Sequence, residues 1–150
     1  MCIIPQKNQV TTLSVKKIES GTTVRTRLSK SIVLAMRKLM RQTQPDALSR
    51  DLAAFIVLAL AQIIESVEQS VIAWEKRDYW LKADQFRREW AWAERSHVAL
   101  GAAVLAQDWS KIVPEVAGLA QPLSKVQVSE NNRLGEPWHG AWKVFSEKSQ

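Results

Sequence analysis

Hydrophobic residues recur along this chain at helical spacing in three stretches, which differ in how much of the helix circumference they cover. In the first, Val24, Leu28, Ile32, Ala35, Met36, Leu39 and Met40 share one side, while Arg25, Lys30, Arg37, Lys38 and Arg41 mostly occupy the other. That pattern predicts an amphipathic helix over about Arg25 to Arg41. Thr43-Gln44-Pro45-Asp46 ends it, and Pro45 suits the opening of the next helix. In the second stretch, Ala53 to Ala61 is apolar on every side, and a helix of that kind must be surrounded. The third carries a stripe, Tyr79, Ala83, Phe86, Trp90, Ala93, His97, Leu100 and Val104. Its alternating steps of four and three are the seam spacing of packed helices.

The second and third stretches lie in one run of 55 residues, Asp46 to Leu100, that contains neither glycine nor proline. A single helix of that length would measure about 80 Å, too long for a compact domain of this size. The charged cluster Glu75-Lys76-Arg77-Asp78 is the expected break, with Asp78 as N-cap of the next helix. Helix two then covers about Asp46 to Lys76 and helix three about Tyr79 to Gln107. Ser110 is placed to cap a shorter helix four, about Lys111 to Ala120, with Pro114 in its first turn. Beyond Pro122 the chain is polar and broken, and the patch Trp138-His139-Gly140-Ala141-Trp142 is expected to tuck this tail against the helices. Before helix one, Val10, Leu13, Val15 and Ile18 alternate loosely, and Thr22-Thr23-Val24 after the Ser20-Gly21 turn signal offers a second short strand. The expected fold is all-α: an up-down bundle of three long helices and one short one, with an N-terminal basic arm or small hairpin and an irregular C-terminal tail. It forms one domain over 1–150, divided into arm 1–22, bundle 23–120 and tail 121–150.

Charge changes this picture. Residues 1–41 carry nine basic side chains against Glu19 alone, while the rest of the chain carries 12 basic and 14 acidic groups. The overall charge of +6 therefore belongs to the N-terminal quarter. Such asymmetry points to an acidic partner, nucleic acid above all. The expected contacts are Lys16, Lys17, Arg25, Arg27, Lys30, Arg37, Lys38 and Arg41. No zinc finger, homeodomain or aromatic stacking signature accompanies them. A helix-turn-helix at Gln42 to Ser49 would use a second helix too apolar to lie in a groove, so contact with the phosphate backbone is expected rather than sequence readout.

The single cysteine, Cys2, excludes an intrachain disulfide and a four-cysteine zinc site. The expected location is cytoplasmic, because the first residues show neither a sustained apolar stretch nor a small-residue cleavage site. The apolar block Leu52 to Ile64 is 13 residues long, short of the about 20 that span a bilayer, so no membrane span is expected. Covering a helix that is apolar all round suggests a second copy of the chain, with Phe55, Leu58 and Trp92 at the interface, unless the arm and tail complete the shell. Trp90 and Trp92 lie about 200° apart on a continuous helix, so Trp92 should point away from the stripe, as tryptophan anchors of interfaces do.

Two constellations raise the question of catalysis. Glu94 and His97 form a Glu-x-x-His pair of the kind di-iron bundles use in duplicate, with two further inward carboxylates. This chain has one pair. With the turn at Arg77, positions equidistant from it stand level, which sets His97 beside apolar Val57 as a buried, hydrogen-bonded packing residue. Glu65, Glu68, Glu75 and Asp78 form paired acidic motifs, which resemble those of the all-α nucleotide pyrophosphatases. The resemblance implies magnesium held between helices and hydrolysis of a nucleotide. The pattern departs from that family in placing nearly all four acids on one helix. The level rule sets Glu65 beside Glu89 and Glu68 close to Arg87 and Arg88, as an inter-helix salt-bridge set. No phosphate-binding glycine loop or nucleophile elbow is present, and no cofactor is expected. The function expected from the sequence is a non-enzymatic helical interaction module, dimeric, with a basic face for nucleic acid or another acidic partner. The alternatives are a magnesium-dependent nucleotide hydrolase and a protein-binding regulatory or structural subunit.

Overall fold

A computed structural model of the chain describes residues 19–149, and every described regular element is helical. There are six: α1 (Gly21–Met40), α2 (Ala47–Lys76), α3 (Trp80–Glu89), α4 (Ala91–Leu105), α5 (Trp109–Gly118) and α6 (Ala141–Lys148). Of the arm expected over 1–22, residues 1–18, with Lys16 and Lys17, lie outside the described residues, and Gly21 and Thr22 already belong to α1. Thr22-Thr23-Val24, offered by the sequence as a returning strand, is the first turn of α1 instead. Ser20 decides this: its hydroxyl accepts the Thr23 backbone N–H at 3.1 Å, a cap that satisfies one of the helix's orphan donors.

Helix α2 is the axis of the molecule. Its 30 residues span about 45 Å, and α1, α3, α4 and α6 all pack on it. Leu52, Ile56, Leu60, Ile63 and Val71 are completely buried, which is how a helix apolar on all sides finds its shell. Of the described helices, α2 is the one long and apolar enough to cross a membrane, and more than half of that window is buried inside the fold. Its start is fixed by Asp46, whose carboxylate accepts the Ser49 N–H at 2.9 Å.

The long unbroken run ends α2 where the charged cluster lies, by a device that needs no glycine. Asp78 takes a left-handed conformation (φ 63°), with its N–H on the Glu75 carbonyl at 3.0 Å and the Tyr79 N–H on the Trp74 carbonyl at 2.9 Å. These are the paired bonds of a Schellman C-cap, and Asp tolerates that backbone better than most side chains. Asp78 therefore closes α2; it does not cap the next helix, whose N-cap is Tyr79. Gln107 (φ 52°) closes α4 in the same way, with Asp108 N–H on the Ala103 carbonyl at 2.9 Å.

The expected third helix is two helices. At Trp90 the backbone turns to φ −105°, ψ 7°, and Ala93 N–H reaches the Trp90 carbonyl at 3.0 Å, a tighter three-residue step. The stripe still faces inward on both pieces: Ala83, Ala93 and Leu100 are fully buried, whereas Tyr79, at the turn, is 54% exposed. The tail is also more regular than its composition implied. Asp51 on α2 accepts the N–H groups of Gly140 (3.1 Å) and Trp142 (2.9 Å), so α2 itself supplies the acceptor at the start of α6. Trp138, 4% exposed, lies edge-on to Phe55 with ring centres 6.2 Å apart. The aromatic patch does tuck the tail against the helices, and Phe55, expected at a dimer interface, is covered by it instead.

Candidate functional site

The exposed side of α1 is where the basic residues meet. Lys30, Arg37 and Arg41 follow one another at steps of seven and four, so they share one side of the helix over about 16 Å, with Lys38 beside them. Their surroundings differ. The Arg37 guanidinium donates to the Val128 carbonyl at 3.2 Å, and Lys38 approaches Glu136 at 4.0 Å. A cavity of about 320 Å³ opens between α1 and the tail, lined by Arg37, Lys38 and Arg41 on one side and Glu130, Asn132 and Glu136 on the other. Glu136 also meets His139 Nε2 at 3.0 Å, and that bond, with Lys38 beyond it, holds its carboxyl below the usual range. The tail thus lays carboxylates along the C-terminal half of the basic stripe.

Two of the expected contacts are engaged elsewhere. Arg25 is buried, because its long side chain turns inward between α1 and α2: Nη1 donates to the Ser66 carbonyl and the Ser70 hydroxyl, both at 3.2 Å. Its guanidinium lies 4.8 Å from the Phe86 ring centre and 5.9 Å from that of Trp90. Burial lowers its pKa from the ordinary arginine value. Gly21 makes room for it, since a Cβ there would stand 3.0 Å from Arg25 Nη1. Nothing in the local pattern marked Arg25 as buried; the weak signal was its place one residue after Val24, at the edge of the apolar side. Arg27 forms a fork with Glu19, Nε and Nη2 at 3.0 and 2.9 Å, which holds the Glu19 carboxyl below its usual range.

Two of the four acids of the pyrophosphatase-like motif, Glu68 and Glu75, are paired with a cation. Arg87 bridges Glu75 at 3.0 Å and Glu68 at 3.6 Å, close to the salt-bridge set expected from the hairpin. Arg88 pairs with Asp84 on its own helix instead. Among the described residues no group of three or more His, Cys, Asp or Glu side chains is close enough to hold a metal ion. No known family model, curated protein or solved structure matches this chain. Any functional assignment therefore rests on the residues themselves.

His97 is half-buried, and Gly101, one turn beyond it, faces Val57: a Cβ on Gly101 would stand 3.5 Å from Val57 Cγ1. Among the described residues His97 has no hydrogen-bond partner, so the hydrogen-bonded core histidine expected there is a half-exposed one. The break at Trp90 brings Trp90 and Trp92 together, ring centres 5.7 Å apart and 30° between planes, where a continuous helix would set them on opposite sides. Trp92 packs half-buried on the core. Leu58 is half-buried there too. The largest exposed apolar side chains cluster at the α2–α3 turn instead, with Leu81 86%, Trp80 58% and Tyr79 54% exposed.

Proposed function

We propose that this protein is a non-enzymatic binding module that holds the phosphate backbone of nucleic acid against the exposed basic stripe of α1. The observation that supports this reading is the row Lys30, Arg37, Lys38 and Arg41, whose one ionic partner among the described residues is Glu136 at the 4.0 Å limit. Lys16 and Lys17 extend the same charge towards the N-terminus. Exposed cations in a row release counterions from a polyanion without reading its bases, which gives affinity that falls steeply with salt. Arg25 and Arg27 are left out of the contact set, the first by burial and the second by its fork with Glu19. The up-down course of the helices, with residues 1–18 as a basic arm, belongs to the same proposal.

Self-association is part of the reading, since a second copy doubles the basic field. With Phe55 covered, the apolar side chains assigned to it are Leu58, Trp92 and the exposed Trp80–Leu81 turn. The deciding experiment is a titration with mixed-sequence DNA and RNA at two salt concentrations, with light scattering for the mass. Binding should weaken with a log–log slope of about −0.9 per phosphate contact, and Arg37→Gln with Arg41→Gln should reduce that slope by about 2. Absence of retention on a polyanion column at roughly 50–100 mM salt, where phosphate contacts persist, sinks the nucleic-acid reading.

A further inference from the structure

A second cluster of cations lies apart from the stripe and shares only Lys30 with it. Between the first turns of α1, the α3–α4 junction and residues 125–127 opens a cleft of about 550 Å³, lined by Arg25, Ser29, Lys30, Trp90, Lys125 and Val126 among others. That volume lies within the about 300–1,000 Å³ of small-molecule sites. Its floor holds an unusual group. Arg25 is 8% exposed, and among the described residues no carboxylate pairs with it. Its Nη1 is used on Ser66 and Ser70, whereas Nε and Nη2 make no hydrogen bond within the described residues. A buried guanidinium without a counter-charge carries a desolvation cost that neutral oxygens and the faces of Phe86 and Trp90 offset only in part.

The walls continue the same chemistry. Lys30 and Lys125 have no ionic partner among the described residues, and the Ser29 hydroxyl adds a donor beside them. One acid, Glu89, stands on the lining, and no cation lies within ion-pair distance of it among the described residues. Three cations facing one concave space suit a dianion better than the single charge of a phosphodiester. Trp90 and Val126 offer an apolar wall for an organic body next to it. We propose that this cleft binds an organic phosphate monoester, its phosphoryl group held by Arg25, Lys30 and Lys125 and its body against Trp90 and Val126.

The full chain should be titrated with phenyl phosphate, inorganic phosphate and benzoate by calorimetry and thermal shift. Phenyl phosphate should bind and raise the melting temperature, inorganic phosphate should bind more weakly, and benzoate more weakly than phenyl phosphate. Lys125→Gln, an exposed change away from the core, should weaken phenyl phosphate roughly tenfold, as loss of one charge-assisted bond does. It should leave nucleic-acid binding unchanged, so this inference and the polyanion reading fail separately. No response to phenyl phosphate at about 10 mM, far above the roughly micromolar-to-millimolar range of such sites, overturns the proposal. So does an unchanged affinity in both Lys30→Gln and Lys125→Gln, which would place the ligand elsewhere. Equal affinity for benzoate would overturn the phosphate assignment, and retention on phosphatidic acid vesicles without a response to phenyl phosphate would assign the cations to a lipid headgroup.

Discussion

Replacing Trp138 by alanine tests whether the tail, and not a second copy of the chain, closes the core around α2. The indole is 4% exposed and covers Phe55 from a segment held by Asp51 through two backbone N–H bonds. Burying a tryptophan removes about 150–250 Å² from water, or about 4–6 kcal/mol at 25 cal/mol per Å². Among the described residues its Nε1 has no hydrogen-bond partner, and an orphaned buried donor takes back about 1–3 kcal/mol. The net cost of Trp138→Ala should therefore be about 3 kcal/mol, read as a fall of roughly 6–12 °C in melting temperature for a domain of this size. Trp138→Phe separates the two terms, because it keeps most of the apolar area and discards the orphan N–H; it should cost less than about 1 kcal/mol. Urea denaturation followed by circular dichroism measures both. If Trp138→Ala leaves the midpoint unchanged, the tail does not seal α2 and this account of the core is refuted. A midpoint that depends on protein concentration in the wild type would report the proposed self-association and leave the role of the tail to the Trp138 variants.

Three further outcomes rest on local geometry. Gly101→Ala should stabilise the protein by about 0.5–1 kcal/mol, since the added methyl meets Val57 Cγ1 at an ordinary 3.5 Å and relieves a glycine within α4; a lower melting temperature would contradict the observed packing. Asp46 has its pKa lowered first by the Ser49 backbone N–H and then by the Ser49 hydroxyl. A depressed folded pKa means that its stabilisation is present above the ordinary carboxylate pKa of about 4 and is lost as pH falls through the folded value. Asp46→Asn keeps the cap without the ionisation, so the melting temperature of the variant should fall less between pH 5 and pH 2 (roughly the span of that titration). Glu130→Gln with Glu136→Gln should raise affinity for mixed-sequence DNA about two- to fivefold at low salt, and less as the Debye length shrinks; an unchanged affinity would detach the tail from the binding face.

The coarse shape was legible because it rests on periodicity. The all-helical class, the central apolar helix and the break by Arg77 reflect where apolar side chains recur and where four charged residues interrupt them. The break at Trp90 left no such mark. A single residue at ψ 7° keeps its own N–H on the Phe86 carbonyl at 3.2 Å, so the chain bends without glycine or proline. The fate of Arg25 was equally hidden, since its acceptors, Ser66 and Ser70, lie more than forty residues away on another helix. Helix α6 had a readable trace in Ala141 and Phe145, four apart and both buried, but the glycines and prolines before it read as an irregular tail.

The tail has two attachments of very different strength, and the difference bears on the proposed binding face. Trp138, Ala141 and Phe145 are buried against the core, and α6 starts on the Asp51 carboxylate, so this end of the tail is fixed by packing that a surface ligand has no means to displace. The polar contacts of the stretch before it with α1, among the described residues, are Arg37 on the Val128 carbonyl and Lys38 near Glu136 at 4.0 Å. Exposed contacts of that kind contribute little, and salt weakens them further. A polyanion arriving at Lys30, Arg37, Lys38 and Arg41 therefore has to displace weak contacts while the scaffold behind them holds. On the proposed reading, the carboxylates of Glu130 and Glu136 would act as a standing competitor that lowers affinity for weakly charged partners more than for highly charged ones, so selection on this face would be by charge density rather than by sequence.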